Sequence, residues 1–152
     1  IYSTDISEER LSIAASDYGA IIVDKYEAYE MDIDVYAPCA LGASVNDYSL
    51  GRLNCEIIAG AANNQLADEQ RHGQIILDKG IVYAPDFLIN AGGLVSVYSE
   101  LKGYDFAEII SKTEGIYDTT LEIFRKSELE GITSHEAAKQ IAQARIERVL
   151  SE

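Results

Sequence analysis

Basic residues are scarce in this chain. Twelve Lys and Arg residues stand against 26 Asp and Glu residues, giving a formal net charge of -14 at pH 7. This excess of negative charge argues against nucleic acid or an anionic membrane as a partner, because both carry negative charge themselves. The sequence also shows no signal peptide, no transmembrane run and no basic tail, so we expect a cytoplasmic protein that does not associate with membranes.

Cysteine is equally sparse. Cys39 and Cys55 are the two cysteines, and their spacing is not that of metal ligands. The chain has no Cys/His cluster, so no metal site is predicted. Two isolated cysteines favour reduced thiols over a disulfide scaffold, which agrees with a cytoplasmic location. Low-complexity segments, linkers and internal repeats are also missing, and 152 residues are enough for one domain with a hydrophobic core.

Five short apolar segments alternate with helical segments or turns along the first half of the chain. This alternation is typical of parallel βαβ units and predicts an α/β fold with a doubly wound parallel sheet. The segments do not alternate apolar with polar residues, so we expect both faces of the sheet to be covered. The predicted strands are residues 1–4, 20–23, 33–36, 56–59 and 81–83.

Capping residues predict where the main helices begin and end. Ser7 is a good N-cap for a first helix that Gly19 ends. Asp105 can cap a long helix with apolar residues at helical spacing, ending at Gly131, and Thr133 begins a capping box for a final helix. We expect this last third to pack against the sheet or a neighbouring domain. Further helical segments are predicted at residues 25–30, 45–53, 70–79 and 94–101.

Small and polar residues gather directly after the predicted strands. Because ligands bind at the carboxyl ends of parallel strands, this arrangement predicts a ligand site at one edge of the sheet. In the last cluster, Asn90 precedes three residues with almost no side chain, which suits a flat ligand lying close to the backbone. The alternative is a turn that needs glycine for packing. The clusters are Asp5, Pro38-Cys39-Ala40, Ala62-Asn63-Asn64 and Asn90-Ala91-Gly92-Gly93.

Asp5 suggests which ligand this edge binds. In a dinucleotide-binding fold, an acidic residue at the end of the second strand accepts hydrogen bonds from the adenosine ribose hydroxyls. Its charge would repel a 2′-phosphate, so it favours NAD over NADP. The alternative is that Asp5 is a turn or cap residue.

The usual first strand and G-x-G-x-x-G loop of that fold are missing, since only four residues precede Asp5. In the usual strand order 3-2-1-4-5-6, the missing strand would be central. We therefore expect a Rossmann-like sheet that lacks its first strand and glycine-rich loop, in a piece of a larger chain. The pyrophosphate site at a helix N-terminus would then also be missing, so we expect NAD to bind weakly. The alternative is a compact fold that starts afresh at Ile1.

Five motifs in this order resemble the carboxyl-terminal half of the Glu/Leu/Phe/Val dehydrogenase family, and they are closest to its leucine-type members. The resemblance runs from about residue 1 to residue 149 and implies a Rossmann-type domain that binds NAD. It also implies an enzyme that oxidatively deaminates an L-amino acid to a 2-oxo acid and ammonia. The expected arrangement is one partial NAD-binding domain over residues 1–152, with residues 104–152 as a helical extension. The motifs are residues 36–43, 59–66, 71–73, 80–86 and 89–93.

The resemblance also implies roles for individual residues. Cys39 and Ala40 would line the nicotinamide side of the cofactor, and Asn64 would lie near the nicotinamide ribose and the substrate. Asn90 would face the nicotinamide and the reacting carbon. The implied cofactor-binding residues are Asp5, Ile6, Cys39, Ala40, Asn63, Asn64 and Asn90.

Leu94 and Val97 fall where the family places the wall of the substrate side-chain pocket. Both are apolar, which fits a branched aliphatic substrate such as leucine or valine better than glutamate; the alternative is that they are helix core. No lysine here matches the family's catalytic glycine-rich context, so we assign no proton-transfer residue to this chain. For His72 a structural or capping role is favoured over catalysis, and His135 is expected to be exposed.

The sequence leaves three hypotheses about function and assembly open. The first is the cofactor-binding part of an NAD-dependent branched-chain amino-acid dehydrogenase, inactive by itself. The second is a non-catalytic nucleotide-binding or assembly module that acts with a partner chain. The third adds a homo-oligomer in which a second copy covers the strand edge left by the missing central strand.

Overall fold

A computed structural model describes residues 1–103 and 105–151 of the chain. Five strands form within the five segments that the sequence predicts, and each is shorter than its predicted segment. The strands are β1 (Tyr2–Ser3), β2 (Ile21–Ile22), β3 (Val35–Tyr36), β4 (Ile57–Ile58) and β5 (Val82–Tyr83).

The strands are divided between two parallel sheets. β1 pairs with β2 in a two-stranded sheet, and β3, β4 and β5 form a three-stranded sheet in that order. In the strand order 3-2-1-4-5-6, the central strand would lie between these two sheets, on the free sides of β1 and β3. Among residues 1–103 and 105–151, no strand occupies that place. The α/β fold with parallel sheets is confirmed as Rossmann-like, and its division into two sheets agrees with the expected lack of the first strand.

Helices connect the strands and make up the last third of the chain. The predicted caps are confirmed: the Ser7 hydroxyl accepts a hydrogen bond from the Arg10 N–H, and Asp105 caps the long helix that Gly131 ends. Tyr104 and Glu152, the two ends of the expected extension, lie outside the described residues. The helices are α1 (Glu8–Tyr18), α2 (Asp47–Leu50), α3 (Glu69–Asp78), α4 (Asp86–Ile89), α5 (Gly92–Lys102), α6 (Phe106–Glu130) and α7 (Ser134–Ser151), with a 3-10 turn at Glu27–Tyr29.

Two local details differ from the prediction. The short helix α4, which begins at Asp86, is not among the predicted helices, and the Asp86 carboxylate accepts a hydrogen bond from the Phe87 N–H at 2.8 Å. The helix predicted over residues 45–53 shortens to α2, because Asn46 caps it from within that segment. Among residues 1–103 and 105–151, no helix combines the length and apolar character that a membrane span requires.

The hydrophobic core lies around the three-stranded sheet. Ile58 on β4 is fully buried between side chains of α2 and α3, and a second cluster around Ile123 joins α6 to α7. The unit formed by β1, α1 and β2 contrasts with this: α1 buries none of its residues, and Ile21 on β2 is 56% exposed. The expectation that both faces of every strand are covered is wrong for this unit, because few described side chains pack against it.

Candidate functional site

The segments that follow β3 and β4, residues 38–43 and 60–64, lie directly against each other, and we call them the paired loops. A Cβ atom placed on Gly60 would lie 2.2 Å from the Pro38 carbonyl oxygen, so only glycine allows this approach. The Ala62 N–H donates to the same oxygen at 3.0 Å. At the far end, the Ala43 N–H donates to the Asn64 carbonyl at 2.7 Å. Two of the predicted clusters are therefore held together as one surface.

A buried amide fixes the shape of the second loop. Gln65 is completely buried, and its Nε2 donates to the carbonyl oxygens of Gly60 at 2.7 Å and Ala62 at 2.9 Å. The Gln65 N–H donates in turn to the Asp86 carboxylate at 3.1 Å. Asn64 adopts a left-handed conformation with a φ of 53°, which asparagine tolerates better than most residues. The loop is therefore fixed from beneath, while Asn63 and Asn64 remain exposed.

Asn90 joins the third predicted cluster to the paired loops. Its Nδ2 donates to Asn63 Oδ1 at 2.5 Å and to the Ala61 carbonyl oxygen at 3.3 Å. Asn90 is the C-cap of α4, two residues before α5 begins, and is half-buried. Residues that are far apart in the sequence thus meet at the carboxyl edge of the three-stranded sheet, where parallel α/β sheets bind ligands.

The glycines after Asn90 border open space. A Cβ atom on Gly93 would meet nothing within 4 Å, and one on Gly92 would make only ordinary contact, at 3.6 Å from Thr113 Cγ2. Neither glycine has a positive φ. Packing and backbone geometry therefore do not explain Gly93, and the packing-turn alternative fails for this residue. A ligand that approaches the backbone closely would explain it.

Leu94 and Val97 lie on the open side of α5. Their exposed fractions are 72% and 57%, so the alternative that they are helix core is wrong. Leu94 follows Asn90 by four residues and Val97 by seven, so the two exposed apolar side chains lie within the first two turns of α5. Their contact with a substrate side chain stays a prediction.

Asp5 and Ile6 lie after β1, in the other sheet. Asp5 Oδ1 accepts a hydrogen bond from the Ser7 N–H at 2.8 Å, and Ile6 is fully exposed. Within residues 1–103 and 105–151, no hydrogen bond links them to the paired loops. The contact of Asp5 is that of a turn residue at the start of α1, and its role toward a ribose stays a prediction.

The two histidines are both structural in their contacts. His72 is buried, and its Nδ1 accepts a hydrogen bond from the Asp68 N–H at 2.9 Å, as the structural interpretation requires. The expectation that His135 is exposed is wrong. Its Nε2 lies 2.9 Å from Glu69 Oε2, and its ring meets Phe87 edge-on at a centroid distance of 5.2 Å. These contacts bury it at the start of α7.

A cavity of about 260 Å³, which is not predicted from the sequence, lies beside Asn63 and Asn64. Its lining includes Tyr83, Asp86 and His135, which come from β5, α4 and α7. Burial raises the pKa of the Tyr83 hydroxyl above its ordinary value, and Asp86 raises it further, so this group stays protonated and neutral. The cavity depends on α7 packing beside β5 and α4, about 50 residues away in sequence, and no local pattern reveals that contact. Within the described residues, no group of three or more His, Cys, Asp or Glu side chains is arranged to hold a metal ion.

The known proteins most similar in sequence include several amino-acid dehydrogenases. The chain is 47% identical over 144 residues to leucine dehydrogenase of Thermoactinomyces intermedius, which covers 95% of this chain and 39% of that protein. It is 43% identical over 146 residues to L-tryptophan dehydrogenase of Nostoc punctiforme, covering 96% of this chain and 41% of that protein. The chain therefore spans about two fifths of the length of the curated relatives it matches.

The solved structures agree with the sequence comparison. The crystal structure of L-tryptophan dehydrogenase from Nostoc punctiforme superposes with a TM-score of 0.95 at 41% identity, covering 99% of this chain and 45% of that one. The family described as Glutamate/Leucine/Phenylalanine/Valine dehydrogenase matches residues 3–149. The described fold, the motifs around the paired loops and these matches lead to one conclusion: the chain belongs to the Glutamate/Leucine/Phenylalanine/Valine dehydrogenase family.

Proposed function

We propose that this chain is the cofactor-binding part of an NAD-dependent L-amino-acid dehydrogenase of the cytoplasm. The reaction is the oxidative deamination of a branched-chain amino acid such as leucine to its 2-oxo acid and ammonia. Family membership supports the reaction class. The single observation that carries the assignment of the site is the hydrogen bond from Asn90 to Asn63, which joins two strand-end clusters beside the open backbone of Gly93.

The residues of the site suit NAD. The amide groups of Asn63, Asn64 and Asn90 match the hydrogen-bonding groups of a nicotinamide and its ribose, and Cys39 and Ala40 lie in the other of the paired loops. When bound, NAD accepts the hydride from the substrate. The chain's own contribution is to orient the nicotinamide ring and to let it approach the backbone at Gly93.

The adenosine end of the cofactor falls to the segment after β1. Asp5 keeps one carboxylate oxygen on the Ser7 N–H, and the other is available to accept a hydrogen bond from a ribose hydroxyl. Ile6 is fully exposed beside it and offers an apolar contact. The negative charge of Asp5 disfavours a 2′-phosphate, so this segment selects NAD over NADP.

The substrate side chain falls to Leu94 and Val97. Both side chains are exposed, aliphatic and within the first two turns of α5 after Asn90, which favours an apolar substrate over a charged one such as glutamate. We assign no proton-transfer residue to this chain, and we expect it to be inactive by itself. Proton transfer and recognition of the substrate carboxylate then belong to groups outside residues 1–152.

Binding measurements on this chain test the proposal. Calorimetric titration should give weak, saturable binding of NAD and weaker binding of NADP, and Asp5→Ser should remove that preference. Asp17→Ser, an exposed aspartate at the far end of α1, is the matched control and should leave it unchanged. Incubation with leucine and NAD should produce no NADH. Equal affinity for NAD and NADP in the unmodified chain would contradict the role of Asp5, and NADH formation would contradict inactivity.

Assembly into a homo-oligomer is part of the same proposal. Several large apolar side chains of α5 and α6 are mostly exposed, more than an isolated soluble chain ordinarily shows in one region. Light scattering at rising concentration should show association, and a constant monomer mass would contradict it. These side chains are Leu94 (72%), Leu101 (82%), Phe106 (63%) and Tyr117 (69%).

A further inference from the structure

The side-chain amide of Asn90 has only one orientation that its neighbours allow. The amide oxygen Oδ1 and nitrogen Nδ2 are nearly equal in size, so their hydrogen-bonding neighbours decide which position each one occupies. The Ala61 carbonyl oxygen lies 3.3 Å away and can only accept a hydrogen bond, so the atom facing it is Nδ2. Asn63, 2.5 Å away, must then present its oxygen to the second hydrogen of the same group.

This orientation leaves the Asn90 oxygen available. Both hydrogens of Nδ2 are used within the protein, while no described residue donates a hydrogen bond to Oδ1. This oxygen is also not one of the buried atoms without a partner, so it keeps access to solvent. Asn90 therefore presents a hydrogen-bond acceptor, and no donor, to a ligand.

From this geometry we propose that Asn63 is a positioning residue, which holds the Asn90 amide so that Oδ1 accepts a hydrogen bond from the carboxamide N–H group of the nicotinamide. The inference rests on the proposed function and adds to it the direction of this hydrogen bond and the residue that enforces it. Without the Asn63 oxygen, only the longer hydrogen bond to the Ala61 carbonyl oxygen, at 3.3 Å, holds the Asn90 amide, which is then freer to turn its NH2 group toward the ligand. That would place donor against donor.

Two substitutions of Asn63 test whether its acceptor oxygen, and not its side-chain volume, holds the Asn90 amide. Asn63→Asp keeps an oxygen where Asn90 Nδ2 needs one, so it should preserve the orientation. Asn63→Leu has similar size but no acceptor, so it should release the amide. Asn54→Leu is the matched control, because exposed Asn54 also makes a long-range side-chain bond, to Asp32 Oδ1 at 2.9 Å, before β4 rather than after it.

Three ligands make the test specific. NAD carries the carboxamide, its 3-acetylpyridine analogue carries a methyl ketone without N–H groups, and ADP-ribose has no nicotinamide. Asn63→Leu should weaken NAD binding about fivefold, the worth of one hydrogen bond, and should leave the other two ligands unchanged. Asn54→Leu should bind all three as the unmodified chain does, and Asn63→Asp should keep more NAD affinity than Asn63→Leu. The side-chain amide NMR signal of Asn90 should shift in Asn63→Leu without any ligand.

The outcomes distinguish this inference from the proposed function. If the unmodified chain binds neither NAD nor ADP-ribose, the proposed function itself fails, and the inference fails with it. If NAD binds but Asn63→Leu weakens all three ligands equally, or weakens none, only the positioning role is overturned. An NAD affinity in Asn63→Asp as low as in Asn63→Leu would overturn it as well, because Asn63→Asp keeps the acceptor.

Discussion

Gly60→Ala should destabilise the fold by separating the paired loops. The added Cβ would lie 2.2 Å from the Pro38 carbonyl oxygen, 2.5 Å from its nitrogen and 2.6 Å from its carbonyl carbon. All three atoms belong to backbone, which cannot rotate away as a flexible side chain can. Gly60 has no positive φ, so the backbone conformation itself would suit alanine, and the whole effect comes from the contact.

The size of the effect follows from two opposing terms. Overpacking of this kind costs about 3 kcal/mol, at the upper end for inserted methyl groups. The smaller conformational freedom of the unfolded chain returns about 0.7 kcal/mol. The free energy of unfolding should therefore fall by about 2 kcal/mol, which lowers the urea midpoint by about 1 M for an m value near 2 kcal/mol/M.

Urea unfolding followed by circular dichroism measures this shift, and Gly93→Ala is the matched control. A Cβ on Gly93 meets nothing within 4 Å, so this variant should be as stable as the unmodified chain, or more stable by up to about 1 kcal/mol. It should nevertheless bind NAD less well, because its methyl group occupies the space left for the ligand. An unchanged urea midpoint in Gly60→Ala would refute the contact between the paired loops.

Three further predictions concern other residues. Cys39 is exposed, whereas burial raises the pKa of the half-buried Cys55 thiol. Ellman's reagent should therefore modify Cys39 first and reach Cys55 only as rising pH forms its thiolate. Bound NAD should slow the modification of Cys39 only. Asn64→Gly should leave thermal stability unchanged or slightly raised, since glycine adopts the left-handed conformation freely, but should weaken NAD binding in a calorimetric titration. Asp105→Ala should cost about 1 kcal/mol in thermal unfolding by removing the α6 N-cap, and Asp105→Ser should restore most of it. Equal modification rates of the two thiols would contradict the first prediction. An unchanged NAD affinity in Asn64→Gly would contradict the second, and an unchanged melting temperature in Asp105→Ala the third.

Features with local causes could be predicted from the sequence. Ser7 and Asp105 cap helices with their own side chains, and the hydrogen bonds that do so reach only two or three residues along the chain. The five strands were likewise visible as apolar runs between turn residues. Their exact ends were not, because pairing with a neighbouring strand decides where a strand stops.

Features with distant causes could not be predicted in the same way. His135 is expected to be exposed because it lies at the start of the last helix, but Glu69 and Phe87, both distant in sequence, bury it. The short helix α4 was missed because Pro85 and Asp86 also suit a turn, and the bond from the Gln65 N–H to Asp86 is a tertiary contact. The approach of Gly60 to Pro38 depends on the pairing of β3 with β4, which no local pattern reveals.

The candidate site combines both kinds of information. The clusters at residues 38–40, 62–64 and 90–93 were visible in the sequence, and the paired loops and Asn90 bring them together. The sequence could not indicate the direction of the Asn90 amide, which depends on the Ala61 carbonyl and Asn63. It also could not decide whether Leu94 and Val97 were core or surface, which their exposure settles.

Titration of the isotope-labelled chain with NAD, followed by backbone-amide NMR, shows directly whether NAD binds at the carboxyl edge of the sheets. We expect saturable shifts confined to the segment after β1, the paired loops, and Asn90 to Val97, with the largest at Asn63, Asn90 and Gly93. ADP-ribose should reproduce the shifts after β1 and not those around Asn90. No saturable shift at millimolar NAD, or shifts confined to α6 and α7, would contradict NAD binding at this site.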